Sequence, residues 1–112
     1  MEEEILKIGI PLAQGRLSHY FSKCDKFAFV TIKNDGIEGK ILFKPPPREP
    51  DDLPRWLYEH GVNRLIVGNM GLRAQGFLAE YGIQVITGVP NLALEELIQH
   101  CLNGVLFTKH TH

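Results

Sequence analysis

Arg64-Leu65-Ile66-Val67-Gly68-Asn69-Met70-Gly71-Leu72-Arg73-Ala74 is the stretch that decides the fold. Arg64 to Gly68 is a short apolar run with the length and branched side chains of a buried strand. Ala74, Phe77, Leu78 and Tyr81 then recur at helical spacing, and Gly82 terminates them. The glycines between read as a strand feeding a helix N-terminus. The same alternation extends both ways. Upstream, Leu53, Trp56, Leu57 and His60 form a helical stripe, with Asp51 or Asp52 as cap, Pro54 in the first turn and Gly61 at the end. Downstream, Gln84 to Thr87 is a strand. Asn91 after Pro90 is placed to cap a third helix, whose stripe is Leu94, Leu97, Ile98 and Cys101 and whose end is Asn103-Gly104. The order α-β-α-β-α from Asp51 predicts parallel strands joined by crossovers.

The first half reads differently. Lys7 to Pro11 is a short apolar strand, and Ala13 to Cys24 shows turn residues and no period, so it reads as loop. Phe27 to Lys33 is β-rich, Asn34-Asp35-Gly36 is a turn signal, and Ile37 to Lys44 alternates. These three strands predict an antiparallel meander. Pro45-Pro46-Pro47-Arg48-Glu49-Pro50 must be extended, since each proline fixes φ and lacks a donor. It connects the halves without dividing the domain, because neither half buries a core alone. The expectation is one α/β domain over residues 1–112, with a mixed five-stranded sheet, about three helices and a frayed tail at 107–112.

Bulk composition excludes several classes. The 112 residues are 44% hydrophobic and 22% charged, ordinary for a globular domain. Net charge is −1, with 12 basic and 13 acidic residues and no basic run, so nucleic acid is not expected as a partner. Two cysteines make no disulfide framework. The start, Met1-Glu2-Glu3-Glu4, is acidic where a secretory signal is basic, and no run approaches the roughly 20 apolar residues of a membrane span. A cytoplasmic protein off the membrane is the expectation.

Two places could carry chemistry. The Gly68-Asn69-Met70-Gly71 turn sits at the carboxyl end of a parallel strand, where open α/β sheets bind ligands and helix N–H groups favour anions. Arg73, in the next turn, could add a charge-assisted contact. Neither nucleotide fingerprint is present, and a tight turn needing glycine for geometry alone explains the pattern equally well. Leu17-Ser18-His19-Tyr20-Phe21-Ser22-Lys23-Cys24 places an imidazole and a thiol five residues apart. His19 and Cys24 are soft donors suited to iron, copper or zinc. Two residues cannot complete a four-ligand zinc site or a four-cysteine cluster site, so any cluster would bring its own inorganic ligands. A loop histidine beside a half-buried cysteine is the plain alternative. Cys101 lies on an apolar stripe and reads as a small hydrophobe. His60 reads as a helix-end packing residue, and His110 and His112 as part of the tail. No nucleophile elbow or paired carboxylates appear, so an enzyme is not expected.

These motifs, in order, resemble the dinitrogenase iron–molybdenum cofactor biosynthesis family, the domain of NifX- and NafY-like proteins and of the C-terminal part of NifB-like proteins. The resemblance rests on Lys7-Ile8-Gly9-Ile10-Pro11, the Ser18-His19 to Phe27 segment, Gly61 to Ala74, Gly82-Ile83-Gln84-Val85 and Leu102-Asn103-Gly104-Val105-Leu106. It covers about residues 7–106. It implies a ribonuclease H-like three-layer fold without nuclease activity, in agreement with a first strand that carries no acids. It further implies a non-catalytic accessory protein that binds or carries an iron–sulfur or iron–molybdenum-type cluster, as in nitrogen fixation. A partner protein in cluster assembly is implied as well. His19 and Cys24 would be metal ligands, with Gly68, Asn69, Met70, Gly71 and Arg73 cradling the cluster. Two departures stand out: Tyr20-Phe21-Ser22-Lys23 replaces the family's Phe-Gly-Arg, and the Pro45–Pro50 connection carries no ligand. An interaction module of the same fold that has lost its cluster, meeting a partner through Pro45–Pro50 and Trp56, is the alternative.

Overall fold

The computed structural model describes residues 5–18, 24–34, 36–43 and 52–102. Among these residues, six strands and three helices follow in the order β1 (Ile5–Ala13), β2 (Arg16–Leu17), β3 (Lys26–Lys33), β4 (Gly36–Phe43), α1 (Asp52–Glu59), β5 (Arg64–Ile66), α2 (Leu72–Glu80), β6 (Gln84–Ile86) and α3 (Leu94–Leu102). The sheet runs β4-β3-β1-β5-β6, with β2 paired to β1. β1, β3 and β4 form the expected antiparallel meander, and β5 and β6 add in parallel on the other side of β1. β1 is therefore central, which explains why it carries no charge between Ile8 and Leu12. This is the mixed α/β arrangement that the resemblance implied.

Strand alternation sorts the core into two layers. Ile8, Ile10, Leu12, Ala28, Val30, Ile32, Ile66 and Ile86 face α3 and meet Leu97, Ile98 and Cys101. Phe27, Phe29, Leu65 and Val67 face the other way and meet Leu53 and Leu57 of α1 and Leu78 of α2. Helices thus cover both sides of the sheet, giving three layers. The second layer is aromatic. Trp56 lies 5.6 Å from Phe27 and 5.3 Å from Phe29 between ring centroids, and the His60 ring lies 4.8 Å from Trp56. His60 Nδ1 is 2.8 Å from the Trp56 carbonyl oxygen. A carbonyl can only accept, so Nδ1 carries the hydrogen, and His60 is the packing residue expected at the end of α1.

Gly9 shows why β1 needs its glycine. A Cβ there would sit 2.9 Å from Phe27 Cε1 and 3.3 Å from Leu65 Cδ1. The Phe27 ring lies across the strand and is fully buried, so it has no room to yield.

Three expectations need correction. β1 is nine residues long and runs on to Ala13. The segment after it, expected to be all loop, opens with β2, so the sheet has a short sixth strand. The turn is Gln14-Gly15, with φ of 55° and 80°, and Ala13 pairs with Arg16. Positive φ at both central residues is the hairpin turn whose twist suits antiparallel strands. Asn91 does not cap α3. That helix starts at Leu94, and Glu96 accepts a hydrogen bond from the Ala93 amide at 3.2 Å, the returning half of a capping box.

Candidate functional site

β1, β5 and β6 run in parallel, so their carboxyl ends share one edge of the sheet. The turn after β5 and the residues flanking the His19 segment gather there. The ligand candidates are best placed starting from the backbone. Ser18 donates its amide to Pro11 O at 2.9 Å, and Asp25 donates its amide to Leu12 O at 2.8 Å. Ser18 and Asp25, on either side of residues 19–23, are thus tied to adjacent carbonyls near the end of β1. His19 itself lies outside the described residues.

Cys24 is half-buried and packs against the aromatic layer that also contains Met70. Cys24 and Met70 of the Gly68–Gly71 turn therefore share one layer of the core at this end of the sheet. Burial raises the Cys24 thiol above the usual cysteine pKa. A hydrogen bond from its own backbone amide offsets part of this, and the neighbouring Asp25 carboxylate adds to it. The resting group is a neutral thiol, and binding a soft metal would release its proton. Among the described residues no group of three or more His, Cys, Asp or Glu is placed to hold a metal ion.

Hydrogen bonds fasten the turn after β5 to both of its neighbours. Val67 donates to Ile86 O at 2.9 Å and Gly88 to Gly68 O at 3.0 Å, joining it to the β6 end. Gln75 Nε2 donates to Met70 O at 2.9 Å from the second turn of α2. Met70 points inward and is buried, while Asn69 and Gly71 are exposed. Gly71 is the N-cap of α2, with φ −65°, ψ 155° and no side-chain cap. That φ suits any residue, and a Cβ at Gly71 would meet nothing within 4 Å. Neither backbone strain nor crowding explains this glycine. Its effect is to leave the start of α2 without a side-chain cap, where amide N–H groups and the helix dipole favour an anion. Arg73 is exposed, and its guanidinium carbon lies 5.7 Å from the Phe77 ring centroid, one turn further along α2. It leans along the helix and away from the turn. Trp56 is half-buried between β3 and His60, so its ring chiefly secures α1.

Two further side chains, in contacts that the sequence does not indicate, also build this edge. Gln14 donates its amide to Asp25 Oδ2 at 3.1 Å. Asn91 bridges the loop before α3 to β2 through Arg16 and Leu17. The Gln14-Gly15 turn was the available signal for the first. Nothing local in the sequence signals the second, whose partners are 74 and 75 residues away.

A family model described as dinitrogenase iron–molybdenum cofactor matches residues 4–104 of this chain. An uncharacterized protein of Methanocaldococcus jannaschii is 29% identical over 111 residues, covering 95% of this chain and 93% of its own. The crystal structure of the protein PH0822 is similar with a TM-score of 0.80 at 26% identity, covering 88% of this chain and 92% of that one. The apo form of the orange protein from Desulfovibrio gigas shares the fold with a TM-score of 0.69 at 17% identity, with 90% of each chain covered. No helix among the described residues is long and apolar enough to cross a membrane.

Proposed function

The chain belongs to the dinitrogenase iron–molybdenum cofactor family, and from that membership we propose that it holds an anionic iron–sulfur or iron–molybdenum-type cluster as cargo at the carboxyl edge of its sheet. Cys24 and His19 supply the direct metal bonds. The amides of the Gly68–Gly71 turn and the first turn of α2 face the cluster's negative charge. Arg73, which leans along α2 onto Phe77, would add a cation at the rim only by swinging back towards the turn. The protein does no chemistry on the cluster; it stores it or passes it to a partner protein in cluster assembly.

The observation that carries this reading is the bare start of α2. Gly71 is needed neither for its φ nor for space, and it leaves an uncapped helix N-terminus at the end of the sheet that Cys24 also occupies. An anion met there gains from the helix dipole and from unshared N–H groups.

The test is an anaerobic titration of purified protein with preformed iron–sulfur and iron–molybdenum-type clusters, followed by gel filtration, metal analysis and visible absorbance. Stoichiometric retention that falls in His19→Ala and Cys24→Ser is the expected result. Passage of the wild-type protein free of metal would sink the proposal.

A further inference from the structure

We infer that β4 is a self-pairing edge: its segment Gly39–Phe43 docks antiparallel on the same segment of a second copy of this chain, about a two-fold axis through Ile41. The inference is independent of the cluster role proposed above. Among the described residues β4 is the outer strand of the sheet, with β3 as its neighbour. On its other side, alternate residues turn their N–H and C=O groups outward, where an added strand would take them up. The side chains on this rim are apolar for an exposed strand. Ile41 is 53% exposed and Leu42 50%. They lie on opposite faces of the sheet, since Ile41 pairs with Phe29 of the α1-side layer and Leu42 with Ala28 of the α3-side layer.

Register decides what fits this edge. Gly39 pairs with Thr31 and Ile37 with Ile32, so Glu38 is an extra residue that interrupts the ladder. The regular piece of β4 is therefore Gly39–Phe43. In an antiparallel pair, residues that turn their amides outward can oppose only residues that do the same. Two identical strands thus meet about a residue, not between two. A centre at Ile41 uses the whole regular piece. It opposes Ile41 to Ile41, Gly39 to Phe43 and Lys40 to Leu42 of the second copy. The isoleucines form an apolar cross-strand pair, an aromatic ring covers a glycine, and a lysine stem lies along a leucine. Phe43 is already held by Phe29 and His60, at 4.9 Å and 5.1 Å between ring centroids. The Lys40 charge is met within its own chain, by Glu95 at 3.7 Å. Centres at Gly39 or Lys40 draw the irregular Glu38 into the ladder, and the second also opposes two lysines. Centres at Leu42 or Phe43 shorten the ladder. The segment is thus complementary to itself in one register, which makes a second copy the fitting occupant. Glu38 ends the ladder on one side, and β6, the opposite edge of the sheet, is three residues long, so the pairing closes as a dimer. β1 and β4 are each antiparallel to β3 and so run the same way. The second copy is reversed, and the two carboxyl edges lie at opposite ends of the joined sheet, clear of the contact.

A ladder this short belongs to the small class of interfaces, under about 1,200 Å² in total, so the dimer should come apart on dilution. Sedimentation velocity of the whole chain between about 5 μM and about 1 mM should show monomer at the low end and dimer at the high end. Ile41→Glu sets two like charges face to face on the axis and should weaken association about tenfold or more. Ile37→Glu alters a comparably exposed isoleucine beyond Glu38 and should leave association within about twofold of wild type. Circular dichroism should show both variants folded. In wild-type protein mixed from isotope-labelled and unlabelled chains, contacts between copies should join Gly39 to the Phe43 ring, a reading that needs no variant. A monomer at every concentration would overturn the inference and leave this edge to a strand of another protein. A dimer that Ile41→Glu does not weaken, that Ile37→Glu weakens as much, or whose contacts between copies join other residues would overturn it too.

Discussion

Gly9 and Cys101 are the residues whose chemistry the fold constrains most visibly. Gly9 sits where Phe27 crosses the central strand, and an added Cβ would stand 2.9 Å from a fully buried ring. Gly9→Ala should therefore destabilise the protein by roughly 1–3 kcal/mol, the usual range for overpacking, although alanine suits a strand better than glycine. A urea midpoint at or above that of wild type would refute this. Cys101 is buried against the α3-side core, and burial alone raises its thiol pKa from 9.0 to about 11. The unfolded thiol ionises first, so the unfolded state binds fewer protons between these values and stability falls as pH rises through that window. Below pH 9 both states are protonated and nothing is lost. The loss approaches about 3 kcal/mol at its full extent. Comparing urea unfolding of wild type and Cys101→Val at pH 8 and pH 11 checks it. The gap between them should shift towards the variant at the higher pH, and a constant gap would count against the assignment. Native-state alkylation gives a second reading, since half-buried Cys24 should react well before buried Cys101.

At the scale of elements, α2 gives the sharpest prediction. Gly71 already has the extended conformation of an N-cap, with open space where a side chain would go. Gly71→Asp should cap α2 and raise stability by a few tenths of a kcal/mol, more where the added charge meets the helix dipole. The same carboxylate would occupy the anion position and repel a cluster. A variant that is more stable yet poorer at retention is a combination that damage to the fold cannot mimic. Equal retention by the capped variant would show that the start of α2 plays no part. Helices and long strands were legible because each carries a strong local signal: Leu53-Trp56-Leu57-His60 for α1, Leu94-Leu97-Ile98-Cys101 for α3, aromatic and β-branched residues in β3, and alternation in β4. Two-residue β2 has no period to read, and its only signal was Gly15. Asn91 looked like a cap because a polar residue after proline commonly is one. Its actual partners, Arg16 and Leu17, are distant in sequence, and only tertiary structure brings them near.

For the whole molecule, the sheet order decides what can meet. With β1 at the centre, the antiparallel and parallel halves share one strand, and the ends of β1 and β5 bring Cys24 and the Gly68–Gly71 turn to one edge. The sequence supports each motif separately, but their convergence depends on β1 pairing with both β3 and β5, which no local pattern expresses. The opposite end of the sheet carries the β3–β4 turn beside Lys33 and Gly36, and among the described residues it presents none of the candidate donors. This polarity permits a direct test of the proposed cluster site. Isotope-labelled protein, titrated anaerobically with an iron–sulfur cluster, would be followed by amide resonances across the chain. Broadening or shifts confined to residues 17–25 and 68–74, with Lys33 to Glu38 undisturbed, is the predicted result. Absence of any change at saturating cluster, or changes centred on the β3–β4 end, would contradict a cluster site at the carboxyl edge.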